Sequence, residues 1–267
     1  MNNQSDFLSF SLDLAKRVGD LQLSYFGNIS SIDRKSTNID LVTNADIESE
    51  KVIISRIKKA YPNHSIISEE AGSIENNSEY TWIIDPLDGT TNFTHNLPIF
   101  AVSIALKRQN EIISGVVFNP AADKCFYAEK NKGAFLNDKK IFPTSTSNLS
   151  NCLLATGFPY LHDEKYDLSF DIFKEFYDKT RGLRRLGSAA LDLCFVAMGR
   201  FDGFYEFNLE PWDICAGALI AHEAGALVTD WDGKNFPHSG SRILCANKNI
   251  QKEMIDILIQ EKYSKFY

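Results

Sequence analysis

Apolar residues recur at helical spacing near the start of the chain, where Phe7, Phe10, Leu14, Val18, Leu21 and Tyr25 share a face and Gly27 supplies a stop. Ile47, Lys51, Ile54 and Ile57 mark a second helix, which ends near Pro62 because proline cannot continue it. Short apolar runs follow at 65–68 and 80–85, and from 99 to 141 the pattern becomes a meander of strands. Its pieces, at 100–107, 112–119 and 124–128, are separated by polar or proline-containing turns. The polar stretch 143–151 reads as a boundary between two halves, 1–145 and 146–267, packed as one compact unit. Beyond it the pattern predicts a strand at 152–156, helices at 168–177, 188–198 and 212–224, a strand at 226–229 and a helix near 250–259. The expectation is a mixed α/β protein of two sheet-and-helix halves.

With 267 residues, 44% of them hydrophobic, the chain can bury a sizeable core. The formal charge of −7, without a basic stripe interleaved with aromatics, argues against nucleic acid or an anionic membrane as an obligatory partner. Five cysteines (Cys125, Cys152, Cys194, Cys215, Cys245) lie far apart and form no CxxC pair, which reads as reduced thiols in a cytoplasmic protein. Asp6, Asp13 and Lys16 punctuate the first twenty residues, so no secretory apolar run stands there, and no stretch has the length of a membrane span.

The most informative segment is Trp82-Ile-Ile-Asp-Pro-Leu-Asp-Gly-Thr-Thr91. A buried strand delivers Asp85 at its end, Pro86 forces the chain to turn, and Asp88 returns three residues later beside the permissive Gly89. Two carboxylates held this close repel each other unless a cation lies between them, and hard oxygen donors suit Mg²⁺ or Mn²⁺ better than zinc. The amides and hydroxyls of Gly89, Thr90 and Thr91 then face a phosphate, particularly where a helix begins. The plainer alternative is an Asp-rich turn with Thr90 as a helix cap. Glu69-Glu70 also leaves a short strand, Asp46 stands near the start of the second helix, and Asp213 follows Pro211-Trp212 at a helix start. Singly, each is explained as surface charge, dipole charge or a cap. Competing schemes find less support. The histidines at 64, 95, 162, 222 and 238 lack HxxxH spacing, and there is no Walker, GxGxxG or GxSxG motif. Arg181, Arg184 and Arg185 form a small basic group before Gly187.

Together the strings Asp40-Leu-Val-Thr-Asn-Ala-Asp46, Ser68-Glu-Glu70, Trp82-Ile-Ile-Asp-Pro-Leu-Asp-Gly-Thr-Thr-Asn-Phe93, Gly187-Ser-Ala-Ala-Leu-Asp192 and Pro211-Trp-Asp213 resemble the inositol monophosphatase family. These lithium-sensitive, metal-dependent phosphatases carry the same motifs in the same order. The resemblance implies a layered αβαβα sandwich of the inositol monophosphatase and fructose-1,6-bisphosphatase type, with the site between the halves. It implies that Glu69, Asp85 and the Leu87 carbonyl hold one Mg²⁺, that Asp85, Asp88 and Asp213 hold a second, and that Glu69 shares a third through waters. Leu87 stands where the family often has Ile, a harmless departure because the ligand there is backbone. A water activated by the ions would attack phosphorus, with Thr90 and Asp46, or else Glu69, taking its proton.

The same resemblance places Glu206 against substrate hydroxyls, with Asp88, Gly187, Ser188, Ala189 and Asp213 lining the substrate side. Thr91 stands where relatives that cleave nucleotide 3′-phosphates carry Lys, which favours inositol monophosphate and similar polyol phosphates. Fructose 1,6-bisphosphate, NADP or nucleotide substrates remain alternatives, as does a regulatory binding protein that keeps the fold. A homodimer is the family expectation.

Overall fold

The computed structural model describes residues 5–28, 31–34, 41–159, 163–234 and 241–266. Asp40, which opens the first acidic string, and His162 and His238 lie outside them. The chain forms an α/β sandwich of five layers, as the resemblance implies. Helix α1 (Asp6–Tyr25) starts where the Ser5 hydroxyl accepts from Leu8 N and ends just before Gly27, whose φ of 80° suits glycine. Strand β2 (Leu41–Thr43), which pairs with β1 (Ile32–Arg34), leads directly into α2 (Asn44–Ala60). Helices α1 and α2 bury Leu8, Leu14, Val18, Ile53 and Ile57 against one face of an eight-stranded sheet.

That sheet runs β10 (Lys139–Lys140), β9 (Ala134–Leu136), β8 (Lys124–Glu129), β7 (Glu111–Asn119), β6 (Ala101–Arg108), β5 (Tyr80–Asp88), β3 (Ser65–Ser68), β4 (Gly72–Ile74). Within this sheet, among the described residues, only β3 and β5 pair in parallel. Trp82, Ile83 and Ile84 are all buried, because β5 has helices on both faces. The sequence reading has the chain turn at Asp85-Pro86. Instead β5 continues to Asp88 through a shift of register against β6 between Asp85 and Asp88. Pro86 has no N–H for the ladder, and the irregularity absorbs that gap without ending the strand.

The middle layer consists of α5 (Ala189–Ala197) and α6 (Pro211–Ala224). Apart from Asp192 in α5 and Asp213, His222 and Glu223 in α6, both are apolar on their several faces, as a helix is when it meets a sheet or another helix on more than one side. A Cβ at Gly115 of β7 would stand 2.9 Å from Ala216 O, so glycine there lets α6 lie directly on the sheet.

A five-stranded sheet follows, ordered β12 (Gly182–Arg184), β11 (Leu153–Thr156), β13 (Gly203–Leu209), β15 (Ser241–Ala246), β14 (Leu227–Thr229). Its outer face is covered by α4 (Glu164–Lys179) and α7 (Gln251–Leu258). The sequence reading assigns no strand to β12, β13 or β15. In β13 a glutamate interrupts the apolar run and the register slips between Phe207 and Leu209, which blurs the alternation that marks a strand. Cys152, Cys194, Cys215 and Cys245 are buried free thiols. Among the described residues no helix is long and apolar enough to cross a membrane.

Candidate active site

Asp46 occupies the third position of α2 and closes a capping box, its Oδ2 accepting from Thr43 N at 2.8 Å and from Thr43 Oγ1 at 2.5 Å. Its Oδ1 faces the next element, with Thr90 Oγ1 2.9 Å away. The same hydroxyl lies 3.1 Å from the Leu87 carbonyl oxygen, so one proton serves two acceptors. Burial raises the Asp46 pKa, opposed by these hydrogen bonds and assisted by the charge of Glu70. Asp46 thus caps α2 with one carboxylate oxygen and meets Thr90 with the other. For Thr90 the cap reading fails, because Gly89, at φ 93°, caps the short α3 (Thr90–Thr94).

Asp85 and Asp88 flank the irregular end of β5. Asp85 Oδ1 accepts from Leu87 N at 2.9 Å. Asp88 Oδ2 accepts from Ser188 Oγ at 2.5 Å and Ala190 N at 2.9 Å, which ties the first sheet to the start of α5. Burial pushes Asp85 well above the usual carboxylate range, and the charges of Glu69, Asp88 and Asp213 add to it. Burial also lifts Asp88 to about 7, against the lowering effect of its donors on α5. Asp213 is the third residue of α6, where its Oδ2 accepts from Glu210 N at 2.7 Å in a second capping box. It too is raised by burial, with Glu69, Asp88 and Glu206 adding repulsion. Glu69 lies at the end of β3, its amide donating to Ile84 O at 3.3 Å.

The structure therefore gathers Asp46, Glu69, Asp85, Leu87, Asp88, Thr90 and Asp213 at the junction of the two sheets. Among the described residues, no three His, Cys, Asp or Glu side chains are drawn in closely enough to hold a metal ion as they stand. Their mutual repulsion nonetheless fits an all-oxygen donor set suited to a hard divalent cation. Beside them opens a cavity of about 120 Å³, lined in part by Asp88, Arg185, Gly187, Ser188, Ala189, Glu206 and Asp213. Burial pushes Glu206 up to about 8, with Arg185 lowering it and Asp88 raising it. Thr91 is half-buried, and its carbonyl is taken by His95 N and Thr94 Oγ1 within the helix. A larger cavity of about 480 Å³, beside Cys215, His222 and Glu223, touches none of the carboxylates above. Buried charge converges at the smaller one, which Asp88, Glu206 and Asp213 line.

Three supporting side chains escaped the sequence reading. Glu50 Oε1 accepts from the Ser68 hydroxyl and, at 3.0 Å each, from Glu70 N and Ala71 N, fixing the Glu69 turn. Gln22 Nε2 donates to Pro86 O at 2.7 Å. Asn92 Nδ2 lies 2.8 Å from Ile99 O and 2.7 Å from Leu186 O, joining α3 to the loop before α5. Helical spacing carried a signal for two of them. Glu50 falls one turn after Asp46 on the buried face of α2, and Gln22 continues the buried row of Ala15 and Val18 on α1.

A five-layered α/β sandwich with carboxylates buried between its sheets defines a phosphatase fold. The chain belongs to the inositol monophosphatase family, whose model matches residues 3–263. It is 43% identical to the putative Nus factor SuhB of Neisseria meningitidis over 94% of this chain and 97% of that one. It is 37% identical to the inositol-1-monophosphatase of Mesorhizobium japonicum, over 94% and 96% respectively. The crystal structure of the extragenic suppressor protein SuhB from Bartonella henselae superposes with a TM-score of 0.92 at 37% identity, covering 96% of this chain and all of that one. The family is one of generally Mg²⁺-dependent phosphatases acting on phosphate esters.

Proposed function

We propose that this protein hydrolyses a small phosphate monoester, with inositol monophosphate as the leading substrate. The observation that carries the reading is the convergence of Asp85, Asp88, Asp213 and Glu69, with Glu69, Asp88 and Asp213 all raising Asp85 and Glu69 raising Asp88 and Asp213 as well, beside the Thr90–Asp46 hydrogen bond. Glu69, Asp85 and the Leu87 carbonyl would hold one Mg²⁺, and Asp85, Asp88 and Asp213 a second, with a third near Glu69. Bound there, the ions would supply charge neutralisation and an activated water. Thr90 and Asp46 would hold the attacking water, the Thr90 hydroxyl taking its proton while passing its own to Asp46 Oδ1. The amides of Gly89, Thr90 and Thr91 meet the phosphate at the helix start. Glu206, Gly187, Ser188 and Ala189 meet the alcohol side. The protein works as a homodimer, an assignment that sedimentation checks.

The deciding experiment is phosphate release, with and without Mg²⁺, from inositol 1-phosphate, fructose 1,6-bisphosphate, adenosine 3′,5′-bisphosphate and NADP. Release that requires Mg²⁺, stops with chelator and is fastest on inositol 1-phosphate supports the reading. No release from any of the four rejects it in favour of a second reading, a regulatory binding role for a chain whose Neisseria relative is named a putative Nus factor. That second reading rests on an identity at least as high as that to the Mesorhizobium phosphatase.

A further inference from the structure

The cavity of about 480 Å³ lies away from the carboxylates, and its size falls within the roughly 300–1,000 Å³ usual for small-molecule sites. Its floor is apolar, formed by Ile112 of β7 with Cys215, Ala218 and Leu219 of α6, all of them buried. Val228, half-buried on the edge strand β14, also lines it.

The acids around this floor are already engaged. Glu223 commits both carboxylate oxygens, Oε1 accepting from Asn131 N at 2.7 Å and Oε2 from Gly133 N at 2.9 Å. Glu111 pairs with Lys130, whose Nζ stands 2.6 Å from its Oε1. Two basic side chains remain. Lys107 is the cross-strand partner of Ile112 and so shares its face of the sheet. Burial pushes the Cys215 thiol up to about 12, and the charge of Lys107 opposes that rise, so its field reaches the cavity floor. The other is the exposed His222, which lines the cavity itself. No hydrogen bond or ion pair ties the side chain of either to another described residue.

An apolar floor accepts hydrocarbon or an aromatic ring, whose burial supplies affinity without direction. An ammonium beside it adds direction through a charge-assisted hydrogen bond to an anion. A bare inorganic anion would leave the floor wet, and a neutral hydrocarbon would leave Lys107 unmatched. A cationic ligand would meet Lys107 and find both glutamates taken.

We propose that this cavity is a separate binding site for a small organic anion with an apolar body, the body lying on α6 and β7 and the anionic head meeting Lys107. The site owes nothing to the phosphatase reading and stands or falls without it.

The test uses 1-anilinonaphthalene-8-sulfonate, an aromatic anion whose fluorescence rises when it leaves water, with the folded full-length protein. The dye binds saturably, octanoate displaces it at concentrations where 1-octanol does not, and inositol 1-phosphate with Mg²⁺ leaves it in place. Lys107→Met keeps an apolar stem without the charge and raises the Kd of the dye about tenfold, as for one lost charge-assisted hydrogen bond. Val228→Trp fills the cavity from its edge strand and abolishes saturable binding. Tyr177→Ser, which removes a ring exposed on α4, leaves binding unchanged. Thermal melts show which variants keep the fold, and should Val228→Trp not fold, Lys107→Met decides. The proposal is overturned by a wild-type protein without saturable binding, by displacement with inositol 1-phosphate, by an unchanged Kd in Lys107→Met, or by an equal loss in Tyr177→Ser.

Discussion

Thr90 Oγ1 stands 2.9 Å from Asp46 Oδ1, while the other oxygen of Asp46 is held by the amide and hydroxyl of Thr43. A helix cap on α2 is thereby also the anchor for the short helix that follows the acidic string. Local backbone chemistry and the site share one carboxylate, so a change at Asp46 itself alters both roles at once.

Replacing Thr90 separates the roles by degree. Thr90→Val removes the hydroxyl and leaves Asp46 Oδ1 without this partner, at a cost of roughly 1–3 kcal/mol in stability. If the pair handles the water's proton, kcat falls about 10²–10⁴-fold. Thr90→Ser restores the hydroxyl and recovers most of that loss. Steady-state phosphate release beside thermal melts of all three proteins checks this. A Val variant that melts lower yet turns over normally would reduce the pair to a structural one.

Asp88 is the next point of attack. Asp88→Asn keeps the shape, but its single carbonyl oxygen replaces a carboxylate facing Ser188 and Ala190. Activity is expected to drop by about two orders of magnitude or more, with the circular dichroism spectrum unchanged, because charge at the ion site is lost. Added Mg²⁺ does not restore it. Turnover close to wild type at saturating Mg²⁺ is the result that sinks the assignment.

Much of this architecture is legible in the chain, for identifiable reasons. Helices α1, α2, α5 and α6 announce themselves through spacing or largely apolar runs, and the Asp85 to Thr91 string marks the end of β5. Strand β13 stayed hidden because Glu206 sits within it, and a charge inside a short strand looks like a loop. The bare Cα of Gly157, against which that carboxylate lies, is remote in sequence, so no local pattern links the two. Asp192 was quoted only as the end of a motif. Its Oδ1 is buried with no hydrogen-bond partner among the described residues, which nothing in the apolar surroundings of α5 foretells.

Asp192 makes a pH prediction. Burial, with Glu206 and Asp88 adding repulsion and Arg185 opposing, raises its pKa well above the ordinary 3.8. Between the unfolded and folded values the native state keeps a proton that the unfolded chain has lost, so stability declines as pH rises through that window. Asp192→Asn removes the penalty. Its gain in melting temperature over wild type should be larger at pH 8 than at pH 5. A gain independent of pH would show that Asp192 does not titrate on unfolding.

Glu50 offers a test of how the Glu69 turn is held. Its Oε1 gathers the Ser68 hydroxyl and the amides of Glu70 and Ala71, so a helix residue fixes the turn that carries Glu69. Glu50→Ala releases those three donors, and the carboxylate of Glu69 loses its fixed bearing. The proposed ion at Glu69 then binds less well, and the Mg²⁺ concentration for half-maximal activity should rise about 10–100-fold, as when an outer partner of a ligand is lost. Turnover at saturating Mg²⁺ falls less, since the ligand itself remains. Glu50→Gln keeps one acceptor oxygen and should fall between the two. Unfolding measurements belong beside the titration, because stranded amides also cost stability. Should Glu50→Ala melt lower while its Mg²⁺ dependence stays at the wild-type value, Glu50 supports the fold and not the ion site.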